Sequence, residues 1–171
     1  MKKYGAVRLG GAFFLVMALF SMTMVSCQEK DEDRVKPKTI TDVILENEQF
    51  SILRDVVLYT GMKDALRTTE LTFFAPSNAA FLRANILGSS AITALPKDSA
   101  MLFLKSHLVG ANALEFKQLA AGKLKSLAGR EIFITKIDST VSVNAAKIII
   151  HDVNADNGVI HVIDNVVVPL R

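Results

Sequence analysis

Tryptophan is absent from the 171 residues, tyrosine occurs twice and cysteine once. Tyr4 lies in an N-terminal apolar stretch, which leaves Tyr59 alone for any folded part. Sugars are gripped largely by stacking on exposed aromatic rings, so a dedicated carbohydrate platform is poorly supplied. A single cysteine excludes an intrachain disulfide framework and a cysteine-based zinc site. A basic footprint is missing too. The net charge of +3 is accounted for by Lys2, Lys3 and Arg8, the only charges among the first 26 residues, and the remainder is formally neutral. A surface built to track a phosphate backbone needs more, so nucleic acid is not an expected partner. His107, His151 and His161 show no His-x-x-x-His spacing, no Gly-x-Ser-x-Gly elbow surrounds Ser77, and no internal repeat is apparent. Neither a metal site nor a cofactor is expected.

The N-terminus is rich in what the rest lacks. Met1 to Arg8 is positive and free of acids, Gly10 to Val25 is an almost unbroken apolar run, and the chain turns polar after Ser26-Cys27. That layout is a secretory signal peptide. Met24-Val25-Ser26-Cys27 resembles the lipobox of bacterial lipoproteins, with Met24 departing from the usual Leu, Val or Ile. The resemblance implies that residues 1–26 are removed and that Cys27 carries lipid, an anchor to the outer membrane. An uncleaved apolar anchor is the alternative, since about 17 residues suffice for a span. Gln28 to Lys38 holds four acids, four bases and one apolar side chain. Such a segment cannot bury enough surface to fold, so 27–38 reads as a flexible tether. The cluster Glu29, Asp31, Glu32, Asp33 resembles the signal that sends Bacteroidota-type lipoproteins to the cell surface. A charged, solvated linker is the plainer reading, so the domain is expected to be surface-exposed or periplasm-facing.

From Thr39 to Arg171 the pattern is that of one compact domain. Thr41 is expected to cap a short helix carrying Val43, Ile44 and Leu45. Phe50, Leu53, Val56, Val57 and Thr60 recur at helical spacing, and Gly61 supplies a stop. Leu71 to Ala75 reads as a buried strand. Pro76-Ser77-Asn78 ends it and opens a helix through Phe81 and Leu82 that closes near Gly88. Pro96 fits the first turn of a further helix, striped by Met101, Leu102, Leu104 and Leu108 and ending near Gly110. A shorter helix capped by Asn112 carries Leu114 and Leu119. After Gly129 the period drops to two: Ile132 and Ile134, Val141 and Val143, Lys147 to His151, and Val159 to Val168. Asp138-Ser139, Asn144-Ala145 and Asn157-Gly158 are the turn signals. Helices first and strands last predict an α+β domain. Valines and isoleucines on both parities of 159–163 predict a central strand covered on both sides. Pro169 is expected to block further pairing.

Leu71-Thr72-Phe73-Phe74-Ala75-Pro76-Ser77-Asn78-Ala79-Ala80-Phe81 resembles the first signature of the fasciclin (FAS1) domain. Asn157 to Pro169, with Gly158, His161 and Asp164, resembles the second. Between them Leu104 to Gly110 is similar to the family's central segment around His107. Ser106 stands where the family has tyrosine, a departure at its integrin-linked Tyr-His determinant. The resemblance implies a wedge of two β-sheets with several packed helices. It also implies a non-catalytic module for adhesion and matrix binding, with Thr72, Phe74, Pro76, Asn78, His107, Gly158, His161 and Asp164 as motif residues.

Candidate chemistry is thin. His161, flanked by valine and isoleucine, reads as a hydrogen-bonded structural histidine. His107 is expected to bond to the Pro76-Ser77-Asn78 corner or to Asp164. A Ser77–His107–Asp164 trio would superficially resemble a hydrolase triad. Asp152 to Gly158 places oxygens at positions 1, 3 and 5 of a calcium-type loop. Its glycine falls at 7 and Ile163 stands where a bidentate glutamate is needed, so a turn is expected. Two classes of function remain: a module binding a protein partner of the envelope, and one binding a glycan or small envelope ligand. The twelve residues from Gln28 to Thr39 span at most ~40 Å, and typically about 20 Å. So short a leash favours a partner in the same envelope.

Overall fold

The computed structural model describes residues 37–67 and 70–168. Cys27, the rest of the signal and tether up to Lys36, and Pro169 lie outside the described residues. The first helix, α1 (Ile40–Glu46), is capped by Thr39: its hydroxyl accepts from the Asp42 N–H while the Asp42 carboxylate accepts from the Thr39 N–H. Thr41 therefore is not the cap. It sits buried in the first turn and donates to the Lys63 carbonyl at 2.8 Å. In α2 (Ser51–Thr60) the predicted stripe Leu53, Val56, Val57 and Thr60 is buried, and Gly61 closes the helix at φ +71°. α3 (Asn78–Arg83) opens at the Ser77 cap but ends well before Gly88, because Asn85 takes a left-handed turn at φ +58°. α4 (Ser90–Thr93) is a single turn. α5 (Lys97–Lys105) follows Pro96 and buries Ala100, Phe103 and Leu104, whereas Leu102 faces solvent. It stops five residues short of the predicted end. The expected helix after Asn112 is only a three-residue 3₁₀ turn, Phe116–Gln118, capped by Glu115.

The strands are β1 (Leu71–Pro76), β2 (Leu108–Gly110), β3 (Gly122–Lys125), β4 (Glu131–Ile137), β5 (Thr140–Val143), β6 (Ala146–Ala155) and β7 (Gly158–Ile163). Leu108 thus belongs to a short strand rather than to the stripe of α5, and β7 stops at Ile163 rather than Val168. Neighbours run β2-β1-β7-β6-β5-β4-β3, all antiparallel except the central β1·β7 pair. Asp138, Asn144 and Ala145 take positive φ at the two hairpin turns the sequence predicts.

The two expected sheets share β6. Its first residues pair with β5 and the remainder with β7, with register shifts between Ile148 and Val153. Bulges of this kind bend a strand and raise its twist, which lets β3–β5 fold over the back of β1 and β7. Two cores result. Leu71, Phe73, Ala75, Ile160 and Val162 meet the helices through Phe50, Leu53, Phe81 and Leu104. The opposite parity, Phe74 and Ile163, meets Ile132, Ile134, Val141 and Val143 from β4 and β5. Strands β1 and β7 are buried along their whole length, as a strand covered on both sides must be. Phe73, Phe74 and Phe81 are fully buried, each contributing roughly 1.5–3 kcal/mol. The fold is α+β in three layers: helices, the β1–β7 sheet, and β3–β5.

Candidate functional site

Most motif residues act as connectors within this wedge. Phe50, at the N-cap of α2, offers no side-chain cap. Asn78, from the next helix, supplies one: its Oδ1 accepts from the Ile52 N–H at 3.1 Å, and its Nδ2 donates to the Glu48 carbonyl and to Ser51 Oγ at 2.9 Å each. Thr72 is buried on β1. Its hydroxyl donates to the Asn112 carbonyl at 2.8 Å and accepts from the Leu114 N–H at 2.9 Å, tying the segment after β2 to the sheet. Pro76 ends β1 in register with Ile163. Gly158 opens β7 at φ +154°, where a Cβ would lie 2.1 Å from the Leu71 carbonyl oxygen and 2.9 Å from Ile40 Cδ1. Only glycine allows β1 and α1 to come so near.

The histidines are equally occupied by structural bonds. His107 is buried between α5 and the C-terminal segment. Its Nε2 accepts from the Val167 N–H at 3.0 Å, so the proton sits on Nδ1 and is donated to the Phe103 carbonyl at 2.9 Å. Burial pushes its pKa down to about 4, against a smaller upward pull from the Phe103 carbonyl. The expected bonds to the Pro76-Ser77-Asn78 corner or to Asp164 are not formed. His161 is buried on β7, stacks on Phe74 at 5.7 Å between ring centroids and bonds through Nε2 to the Leu114 carbonyl at 2.8 Å. Burial depresses its pKa as well, partly offset by that carbonyl.

Asp164 accepts from the Lys147 N–H and from Arg83 Nη1, both at 2.7 Å, and so pins the start of β6 to the end of β7 and to α3. Ser77 caps α3 through the Ala80 N–H. The hydroxyl, ring and carboxylate of the supposed trio thus have separate partners, and no hydrogen bond links them. Asp152 to Gly158 forms the β6–β7 hairpin. Burial alone would raise the Asp152 pKa, but the Phe116 N–H at 2.7 Å and the His151 ring at 2.9 Å hold it below the usual range. Among the described residues, no three His, Cys, Asp or Glu side chains converge in a way that could hold a metal. No buried side-chain nitrogen or oxygen there lacks a partner either.

One surface escaped the sequence reading. The side of β3–β5 turned away from the core carries Lys123 and Lys125 from β3, Glu131, Phe133, Thr135 and Ile137 from β4, and Ser142 from β5. Lys147 and Ile149 extend it on β6. Phe133, Ile137 and Ile149 are 48%, 72% and 54% exposed. Lys123 lies 5.3 Å from the Phe133 ring centroid and 2.9 Å from the Glu131 carboxylate. The signal was present, since Ile132 and Ile134 point inward and leave Phe133 and Ile137 on the other parity.

Comparison with known proteins agrees with this architecture. The family model for the fasciclin domain matches residues 48–169. Protein sll1483 of a Synechocystis strain is 39% identical over 134 residues, covering 77% of this chain and 73% of the relative. Another Synechocystis protein, sll1735, is 32% identical over 131 residues, covering 75% and 96%. The transforming growth factor-beta-induced protein ig-h3 of Sus scrofa is 32% identical over 133 residues, 77% of this chain but only 19% of that much longer protein. Among solved structures, a FAS1 domain pair from the insect cell adhesion molecule Fasciclin I superposes with a TM-score of 0.63 at 17% identity, over 77% of this chain and 51% of that one. A signature strand central to the sheet, its parallel partner β7 and a family match across both place the chain in the fasciclin domain family.

Proposed function

We propose that the protein is a non-catalytic interaction module of the cell envelope, held by lipid on Cys27 and engaging a protein of the same envelope. Fasciclin domains are adhesion and interaction modules, and one solved relative comes from a cell adhesion molecule. The observation that carries the non-catalytic reading is the engagement of Ser77, His107 and Asp164 in three unconnected structural tasks. A nucleophile and base must share a hydrogen bond, and these do not. The short tether supports a partner in the same membrane, where confinement raises effective concentration enough for a weak contact to persist.

Crosslinking in intact cells tests the partner: capture of a protein from the same membrane supports the reading. Purified protein that binds foreign cells or matrix, with no envelope protein captured, would establish a bridging adhesin instead; capture of glycan alone would establish the sugar-binding alternative. Cys27→Ser should abolish lipid labelling and membrane retention. Protein that stays membrane-bound and unlabelled in both forms would mean an uncleaved apolar anchor.

A further inference from the structure

From the outward side of β3–β6 we infer a membrane-docking face, shaped to lie on an anionic lipid surface. Formal neutrality of the chain beyond residue 26 hides a local imbalance. Between positions 115 and 147 stand Lys117, Lys123, Lys125, Arg130, Lys136 and Lys147 against Glu115, Glu131 and Asp138, with Lys117 paired to Glu115. Three of these bases, Lys123, Lys125 and Lys147, share the outward parity with Phe133, Ile137 and Ile149. Glu131 is the acid on the same face and is occupied by Lys123. At strand spacings, Phe133 and Ile137 stand about 13 Å apart along β4, and Ile149 lies on β6 at its bulge. The result is an outward face of apolar side chains framed by lysines. A shallow cleft of about 410 Å³, lined by Lys123, Lys125, Gly129 and Glu131, opens at the β3 edge beside it.

This chemistry separates occupants. A soluble polyanion rewards the lysines but leaves Phe133, Ile137 and Ile149 in water. A conventional protein interface has an apolar centre depleted of lysine, whereas here Lys123 lies over the central ring. A lipid surface uses both: phosphates meet the ammonium groups while the apolar tips enter the headgroup boundary, and lysine stems keep their charges at the interface. The inference stands on the face itself and not on the identity of the cis partner.

The absence of tryptophan gives a clean probe. Full-length Phe133→Trp protein, reconstituted in vesicles, should show blue-shifted emission and quenching by brominated lipid when phosphatidylglycerol is mixed into phosphatidylcholine. Both signals should fall in phosphatidylcholine alone and in high salt. Replacing Lys123, Lys125 and Lys147 by Gln should lower the docked-to-free ratio about fivefold per lysine, with an unchanged circular dichroism spectrum showing that the fold persists. Either attachment of the N-terminus keeps the chain in the vesicle, so failure of the lipid reading at Cys27 leaves this test intact. Equal quenching in both lipid mixtures, or indifference to the lysines, would overturn the proposal. A shift produced by a soluble acidic polysaccharide but not by anionic lipid would overturn it in favour of a polysaccharide face. Cellular crosslinks to an envelope protein report separately on the proposed function.

Discussion

Acidification below neutral pH should weaken this fold through His107. The folded ring is neutral because Nε2 receives the Val167 N–H; a second proton would set two donors face to face in a site sealed from water. The unfolded ring titrates near 6.5 and the folded ring near 4, so between those values the unfolded chain holds the extra proton. Stability is therefore full above about pH 6.5 and lost as pH falls toward 4. Over the whole window the loss is about 3 kcal/mol, and about 2 kcal/mol of it falls between pH 7 and pH 5. His161, depressed in the same direction, adds to it. Asp42 and Asp152 are also held low, but their contributions are lost only below the ordinary carboxylate range. Urea unfolding followed by circular dichroism at pH 7, 6 and 5 measures the slope. His107→Gln keeps an acceptor for Val167 and a donor for Phe103 but cannot titrate, so its stability should change by about 2 kcal/mol less over this interval. A variant whose curve runs parallel to the parent would refute the assignment and move the pH dependence elsewhere.

Two substitutions examine the connectors. Gly158→Ala must push its Cβ against the Leu71 backbone, and chain that folds with its melting temperature intact would show that β1 does not approach as closely as described. Asn78→Ala strips the cap from the Ile52 N–H and removes one of the two donors to the Glu48 carbonyl, which should cost about 1–3 kcal/mol in urea unfolding, with Asn78→Asp recovering the Ile52 bond but not the one to Glu48.

The sequence was legible wherever a local rule had no competitor. The stripe of α2 and its glycine stop, the buried run of β1, the alternation of β4 and β5 and their hairpin turns all read directly. Errors fell where two rules overlapped. Thr39 and Thr41 both suit an N-cap, and the deciding signal was Asp42, three residues beyond Thr39. Leu108 lies four residues after Leu104 and so passed for helix, although Ser106 and His107 already turn the chain into β2. Asn85 ended α3 without waiting for glycine. His107 could not be assigned its partner because Val167 lies sixty positions away and offers only a backbone N–H. The outward face was missed for another reason: a charge balance summed over the chain erases an imbalance confined to four neighbouring strands.

The parallel pairing of β1 with β7 also orders events in time. Leu71 finds its partner only when Gly158 arrives, and the helices α1 to α5 rest on a sheet whose strand β7 follows all of them along the chain. Until then the apolar stripes of the helices have no complete surface to close on, and the earlier hairpins of β3–β5 can form only their local ladder. Non-local pairing of this kind delays folding, because a long loop must close before any contact rewards it. On the envelope location proposed above, that delay would suit passage of an unfolded chain, because the sheet cannot close until β7 has followed β1 across. The sheet would then close in one late step, when β7 slides between β1 and β6.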